Sequence, residues 1–324
     1  MSDTPGRSCP LHYHYGAGEL AGATELDVDI AWIVGGLYGN VDALHAIRHQ
    51  VERERADGHR VALVFNGDAH WFDTGAEDFA AIEAAMGAEH AIAGNVELEL
   101  AQPDPDAGCG CAYPESVDDA TVERSNRIIE RLRATADAQP GVRERLAALP
   151  RLLRLRIGDT VTGVVHGDPE SVAGWRFAIE NAPRLQSEQV AAWATDGDVG
   201  AFACSHTCLP WAATFNGVVV INNGSAGMPN FRGDPRVVVT RIAGEPRPHP
   251  QAIYGHAHQG TRWEAVAVTY DSDHWWQRFL QAWPEGSDAH ASYARRIHEG
   301  PEFAPEDATP VIGDRLNPPT VALA

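Results

Sequence analysis

The sequence predicts an α/β fold with a second, strand-rich sheet packed on the first. Two observations carry this. Across the first hundred residues, apolar runs of strand length alternate with segments of helical period. In the second half, short β-type runs follow one another with little helix between them.

Residues 1–27 read as an irregular N-terminal arm. "VDIAWIV" (28–34) is a continuous apolar run ending in Gly-Gly, as expected of a buried strand. Asn40 can cap the next helix, where Val41, Leu44, Ile47 and Val51 recur at helical spacing and Gly58 supplies the stop. "RVALVFNGD" (60–68) predicts a second buried strand. A helix through "AEDFAAIEAAMG" leads to a short strand before Gly94, and "GNVE" (94–97) reads as the loop leaving it. Residues 101–150 read as an insertion: a loop rich in Pro, Asp, Gly and Cys, a helix over 118–139 with an acidic start, and another in "GVRERLAAL". "RLLRLRI-GD-TVTGVVHGD" predicts a hairpin around a Gly-Asp turn. Strands are expected at "VGAFAC", "GVVVINN", "RVVVTRIA" and "RWEAVAVTY". The main domain thus spans 28–272, and 273–324 reads as a C-terminal extension with one or two helices.

Composition narrows the function. Hydrophobic residues make up 44% and charged residues 22%, values ordinary for a globular protein. No apolar run approaches the length that spans a bilayer, and the N-terminus lacks the apolar core of a signal peptide, so a cytoplasmic location is expected. A formal charge of −20 repels nucleic-acid backbones and anionic membranes. A small phosphorylated substrate stays compatible if a metal supplies local positive charge. Five Cys is an odd count, and a disulfide framework is not expected.

Polar residues recur just after apolar runs: Asp68 after "VALVFNG", Asn95 after "HAIAG", His166 after "VTGVV", His206 after "AFACS". In open α/β sheets the carboxyl ends of strands converge on the ligand site. Singly, each residue is ordinary: an Asp or Asn in a turn, a His with a hydrogen bond. Together, one carboxylate, one amide and two imidazoles would suit Mn, Fe or Zn.

In order, the blocks "IVGGLYGNVDAL", "VFNGD", "GNVE", "VVHGD", "CSHTCLPW" and "NNGSAGMPN" resemble those of the calcineurin-like metallophosphoesterase superfamily, nearest its small bacterial phosphodiesterase branch. The resemblance covers about residues 28–272. It implies a four-layer αββα sandwich of two mixed sheets flanked by helices. It also implies two metals bridged by Asp68, the second completed by Asn95, His166 and His206. The first metal's other ligands would stand at 36, 38 and 208, where this chain has Gly36, Tyr38 and Cys208. One or two metals per chain are therefore expected.

Two readings of Tyr38 and Cys208 stand. A phenolate and a thiolate can bind a softer or ferric ion, with Cys208 a ligand and Tyr38 at the chemistry. Alternatively Tyr38 fills the vacated space and Cys208 is a small buried residue. Val96 occupies the place of the family's His, which the resemblance makes the leaving-group acid or transition-state stabiliser. His70, in "GDAHWFD", could take over part of that role or simply pack beside Trp71. "GCGCAYP" (108–114) has a Cys pair spaced too closely for a standard structural zinc site, and "YGHAHQ" (254–259) reads as a surface turn.

The expected function is a divergent hydrolase, with hydroxide on the metal attacking a small phosphoester or phosphoanhydride. The alternatives are a non-catalytic metal- or phospho-ligand-binding protein and a thiolate-metal or redox enzyme.

Overall fold

A computed structural model of the chain describes residues 5–244, 246 and 248–310. Its elements run in chain order as β1 (Glu25–Asp27), β2 (Ile30–Val34), α1 (Val41–Ala56), β3 (Val61–Asn66), α2 (Ala76–Ala88), β4 (His90–Ile92) and α3 (Asn95–Ala101). Then come α4 (Asp119–Asp137), α5 (Val142–Ala147), β5 (Leu152–Ile157), β6 (Thr160–Val165), α6 (Ser187–Asp196), β7 (Ala201–Cys204), β8 (Pro210–Phe215) and β9 (Val218–Asn223). The last are β10 (Val237–Ala243), β11 (Ala252–His258), β12 (Thr261–Val268), α7 (Ser272–Ala282) and α8 (Asp288–Glu299).

The strands form two six-stranded mixed sheets, ordered β1-β5-β6-β7-β9-β8 and β11-β12-β10-β2-β3-β4. Alternation along each strand sends side chains to opposite faces. Ile33, Val64, Leu155, Val164, Ile221 and Trp263 fill the space between the sheets. Trp32 and Phe65 point the other way, into a core shared with Leu44 and Ile47 of α1, Phe79 of α2 and Phe279 of α7. Phe202 and Val220 pack outward with Val190 and Trp193 of α6. The result is the four-layer αββα sandwich. No helix among the described residues is long and apolar enough to cross a membrane.

Local signals explain most elements. Asn40 Oδ1 accepts from the Ala43 N–H at 2.9 Å and Asp118 Oδ1 from Thr121 at 2.9 Å, capping α1 and α4. The β5–β6 hairpin pairs Ile157 with Thr160 around Gly158 and Asp159. Three readings change. The arm is not wholly irregular: β1 adds a parallel edge strand to β5, and Tyr13 is fully buried. "GNVE" is a loop for one residue only, since Asn95 already begins α3. "YGHAHQ" belongs mostly to β11, an edge strand antiparallel to β12, whose half-exposed side chains gave no apolar run to detect. Helices α7 and α8 of the 273–324 segment pack against the sandwich: Trp283 Nε1 donates to the Phe72 carbonyl at 2.9 Å, and Arg124 donates to Ser292 at 2.6 Å.

Candidate metal centre

The carboxyl ends of β3, β4, β6 and β7 converge on one point between the sheets. Strands β2, β3 and β4 run parallel, as do β6 and β7, so their terminal loops meet at the same end. Gly67, with φ +76°, lets the loops close in: a Cβ there would collide with the His166 ring and the Gly94 backbone. Glu97 ties two of these loops together. Its buried carboxylate accepts from the N–H groups of Asp68 (2.8 Å), Ala69 (2.9 Å) and Gly94 (2.8 Å). Sequence reasoning gave Glu97 no role, although it is the last letter of "GNVE".

Four of the expected ligands come together. Ligand atoms of Asp68, His166 and His206 lie within 4.8 Å of one another. His166 Nε2 stands 3.3 Å from Asp68 Oδ2, 3.2 Å from Asn95 Oδ1 and 3.3 Å from His206 Nδ1. His166 Nδ1 is 2.7 Å from the Asn66 carbonyl, so it carries a proton and donates it, which aims Nε2 at the cluster. Asn95 Nδ2 donates to the Cys109 carbonyl at 3.2 Å, which turns its Oδ1 inward. With His166 neutral, a carboxylate oxygen, an amide oxygen and two imidazole lone pairs would face one another. That arrangement requires a cation or a proton among them, and the donor set fits a transition metal. Without a metal, the surroundings of His166 favour its charged form. Burial opposes the charge, but Asp68, the Asn66 carbonyl and Glu97 together raise its pKa. His206 is held neutral, its pKa pushed down to about 3 by burial and by facing His166.

The other half of the site is filled. Gly36 has φ +62°, and a Cβ built on it would stand 3.0 Å from the Tyr38 ring and hydroxyl. The Tyr38 ring thus takes the space where a side chain at 36 would reach. Tyr38 Oη lies 2.8 Å from Cys208 Sγ, and the thiol also donates to the His206 carbonyl at 3.3 Å. Burial, first of all, pushes both Tyr38 and Cys208 above their ordinary pKa values, so at neutral pH they are a phenol and a thiol. Cys208 is not among the clustered ligand atoms. Tyr38, Asp68 and Cys208 all adopt left-handed backbone (φ 55°, 53° and 62°), a strain of the kind that concentrates at functional sites.

Asp68, Asn95, His206, Tyr38 and Cys208 all line one cleft. Aromatic walls close it: Trp71, Tyr113, Trp175 and Tyr293. Trp175 contacts His206 edge-on at 5.4 Å and donates to the Cys111 carbonyl at 3.0 Å. Cys109 and Cys111 are free thiols; the loop they sit on forms part of the wall and accepts a bond from His206 Nε2 at 3.3 Å through the Cys111 carbonyl. Tyr113, Trp175, Tyr293 and Arg296 went unnoticed in the sequence, where they are isolated letters outside any motif.

His70 is not in the cleft. It is fully buried, 2.6 Å from Asp73 and 3.1 Å from Glu83, and stacks on Phe79 at 4.0 Å. Burial disfavours its charge, but Asp73 and then Glu83 raise its pKa to about 10. Its folded pKa lies above the unfolded value of about 6.5. The stabilisation is therefore complete below about pH 6.5 and is lost as pH rises towards 10. Replacing His70 by Leu leaves two buried carboxylates short of a partner. Urea unfolding at pH 7 is expected to register a loss of roughly 3–5 kcal/mol, and the gap between wild type and variant narrows as pH approaches 10. A gap independent of pH would contradict a charged His70.

No protein-family model matches the chain, and no curated protein does. Solved structures match in fold. A hypothetical protein from Pyrococcus horikoshii OT3 is 18% identical, with a TM-score of 0.57, covering 86% of this chain and 100% of its own. A metallophosphoesterase from Sphaerobacter thermophilus is 16% identical, with a TM-score of 0.50, covering 84% of this chain and 99% of its own. The two packed mixed sheets with flanking helices are the metallophosphoesterase fold. On this fold the chain carries an Asp/His/His candidate metal site.

Proposed function

We propose that the protein is a metal-dependent hydrolase of a small phosphoester or phosphoanhydride with a good leaving group. The observation that carries this is the cluster of Asp68, Asn95, His166 and His206, four acceptors aimed at one point beside an open cleft. The likeness to a metallophosphoesterase supports it. When bound, an ion such as Mn, Fe or Zn would polarise a phosphoryl oxygen and lower the pKa of water towards ~7. The chain's own residues do the rest. Trp71, Tyr113 and Trp175 offer an apolar, water-excluding wall to the group attached to phosphorus. Val96, 1% exposed and lining the cleft, has no proton to give the leaving group, so the leaving group must be stable as an anion, as an aryloxide or phosphate is. The −20 charge favours small substrates over polyanions.

A second reading, a non-catalytic binding protein, is favoured by the Tyr38 ring over Gly36, at two positions where the resemblance expects ligands of another ion. Elemental analysis and turnover of an aryl phosphodiester separate the two. One metal per chain and turnover are expected, with both metal content and metal identity unchanged in Cys208→Ser. Metal-dependent thermal stabilisation with no turnover of aryl diesters, monoesters or nucleotides would leave the binding protein.

A further inference from the structure

Arg296 lies in α8, outside every block that resembles the family, yet it lines the same cleft as Asp68 and His206. It is 6% exposed. Its side chain makes one hydrogen bond among the described residues, from Nη2 to the Cys208 carbonyl at 2.5 Å. Its Nε is buried with no acceptor, and no carboxylate pairs with it among the described residues. This is unusual in a chain with 45 Asp and Glu against 25 basic residues. The other deeply buried arginines have carboxylates: Arg154 pairs with Glu25, and Arg241 with Glu54 and Glu264. A guanidinium taken out of water without a counter-ion is costly unless an anion joins it.

Its position indicates which anion. The carbonyl that holds Arg296 belongs to residue 208, and the Cys208 thiol contacts Tyr38. These are positions where the resemblance puts ligands of the first metal, and they hold neither a carboxylate nor an imidazole here. An anchored cation thus stands beside the place where the chain lacks an ionic one. Its planar donor fork suits two oxygens of a tetrahedral anion.

We infer that Arg296 is a phosphate-binding residue that takes over the charge of the missing first metal, holding non-bridging oxygens of the phosphoryl group opposite the Asp68–His166–His206 cluster. The inference rests on the phosphoesterase reading for the identity of the anion, but its test needs neither metal nor turnover. Inorganic phosphate is titrated calorimetrically into chelator-treated full-length protein at low ionic strength. Wild type is expected to bind. Arg296→Met is expected to bind at least tenfold more weakly, with Arg296→Lys between them, since Lys keeps the charge but not the fork. Equal affinity in wild type and Arg296→Met, or no phosphate binding by wild type, would overturn the assignment whatever the turnover assay gives. If Arg296→Met does not fold, a crystal of wild type soaked in phosphate decides: phosphate on the guanidinium supports the inference, and phosphate elsewhere, an adventitious ion only, or none refutes it. Phosphate affinity that depends on Arg296 in a protein without turnover would leave this inference standing and sink the hydrolase.

Discussion

Asp68→Asn is expected to abolish both metal retention and phosphoesterase turnover. The substitution is isosteric, and the amide oxygen can still accept from the Val96 N–H, now 3.2 Å from Oδ1. What it removes is the charge at the centre of the cluster. Two imidazoles and an amide oxygen hold a divalent ion poorly without a carboxylate. The loss of rate is expected to be on the order of 10³-fold or more, matching the several kcal/mol that a metal contributes to such a transition state. Elemental analysis after gel filtration and an aryl phosphodiester assay measure the two effects. Thermal unfolding in chelator is expected to show a lower midpoint, because the metal-free protein loses the buried Asp68–His166 pairing, while Glu97 still clamps the backbone of Asp68, Ala69 and Gly94. A variant that keeps its full metal content would remove Asp68 from the centre.

Val96→His is the converse, an expected gain. Val96 lines the cleft together with Asp68, so an imidazole at this position would stand at the cleft wall. A positioned general acid typically contributes about 10²–10⁴-fold. The gain should depend on the leaving group: about 10²-fold for alkyl phosphoesters, little for aryl esters or anhydrides that depart unaided. Rates across a series of leaving-group pKa values measure this directly. A uniform change across the series would mean that Val96 is not where a leaving group departs. Ground-state crowding by the larger side chain would raise KM alike for all members and is separated by kcat.

Most of the candidate site was legible because its signals are local. A buried strand reads as an apolar run, and the first polar residue after it must stand at the strand's carboxyl end. Asp68, Asn95, His166 and His206 were found that way, and the sheets then brought them together. The cap at Asn40 was legible for the same reason, since a cap bonds a backbone group three residues away. Strands β8 and β11 were not. The first begins with Pro210 inside a block read for its histidine, and the second is a half-exposed edge without an apolar run. His70 shows the limit of proximity in sequence. Two residues from Asp68, it turns into the interior because Asp73 and Glu83 wait there to bind it.

The sequence by itself determined the α/β alternation, the strand-end ligands and the absence of ionic side chains at 36, 38, 96 and 208. Only the tertiary structure decided what those absences become. Tyr38 and Cys208 turned out to be hydrogen-bonded to each other, because burial keeps both protonated. Arg296 entered the site because α8 packs along α4 and delivers it to the Cys208 carbonyl, 88 residues away in the chain. No periodicity or motif encodes a contact of that range. It follows from which apolar faces can be buried together, and that is settled only when the whole core closes.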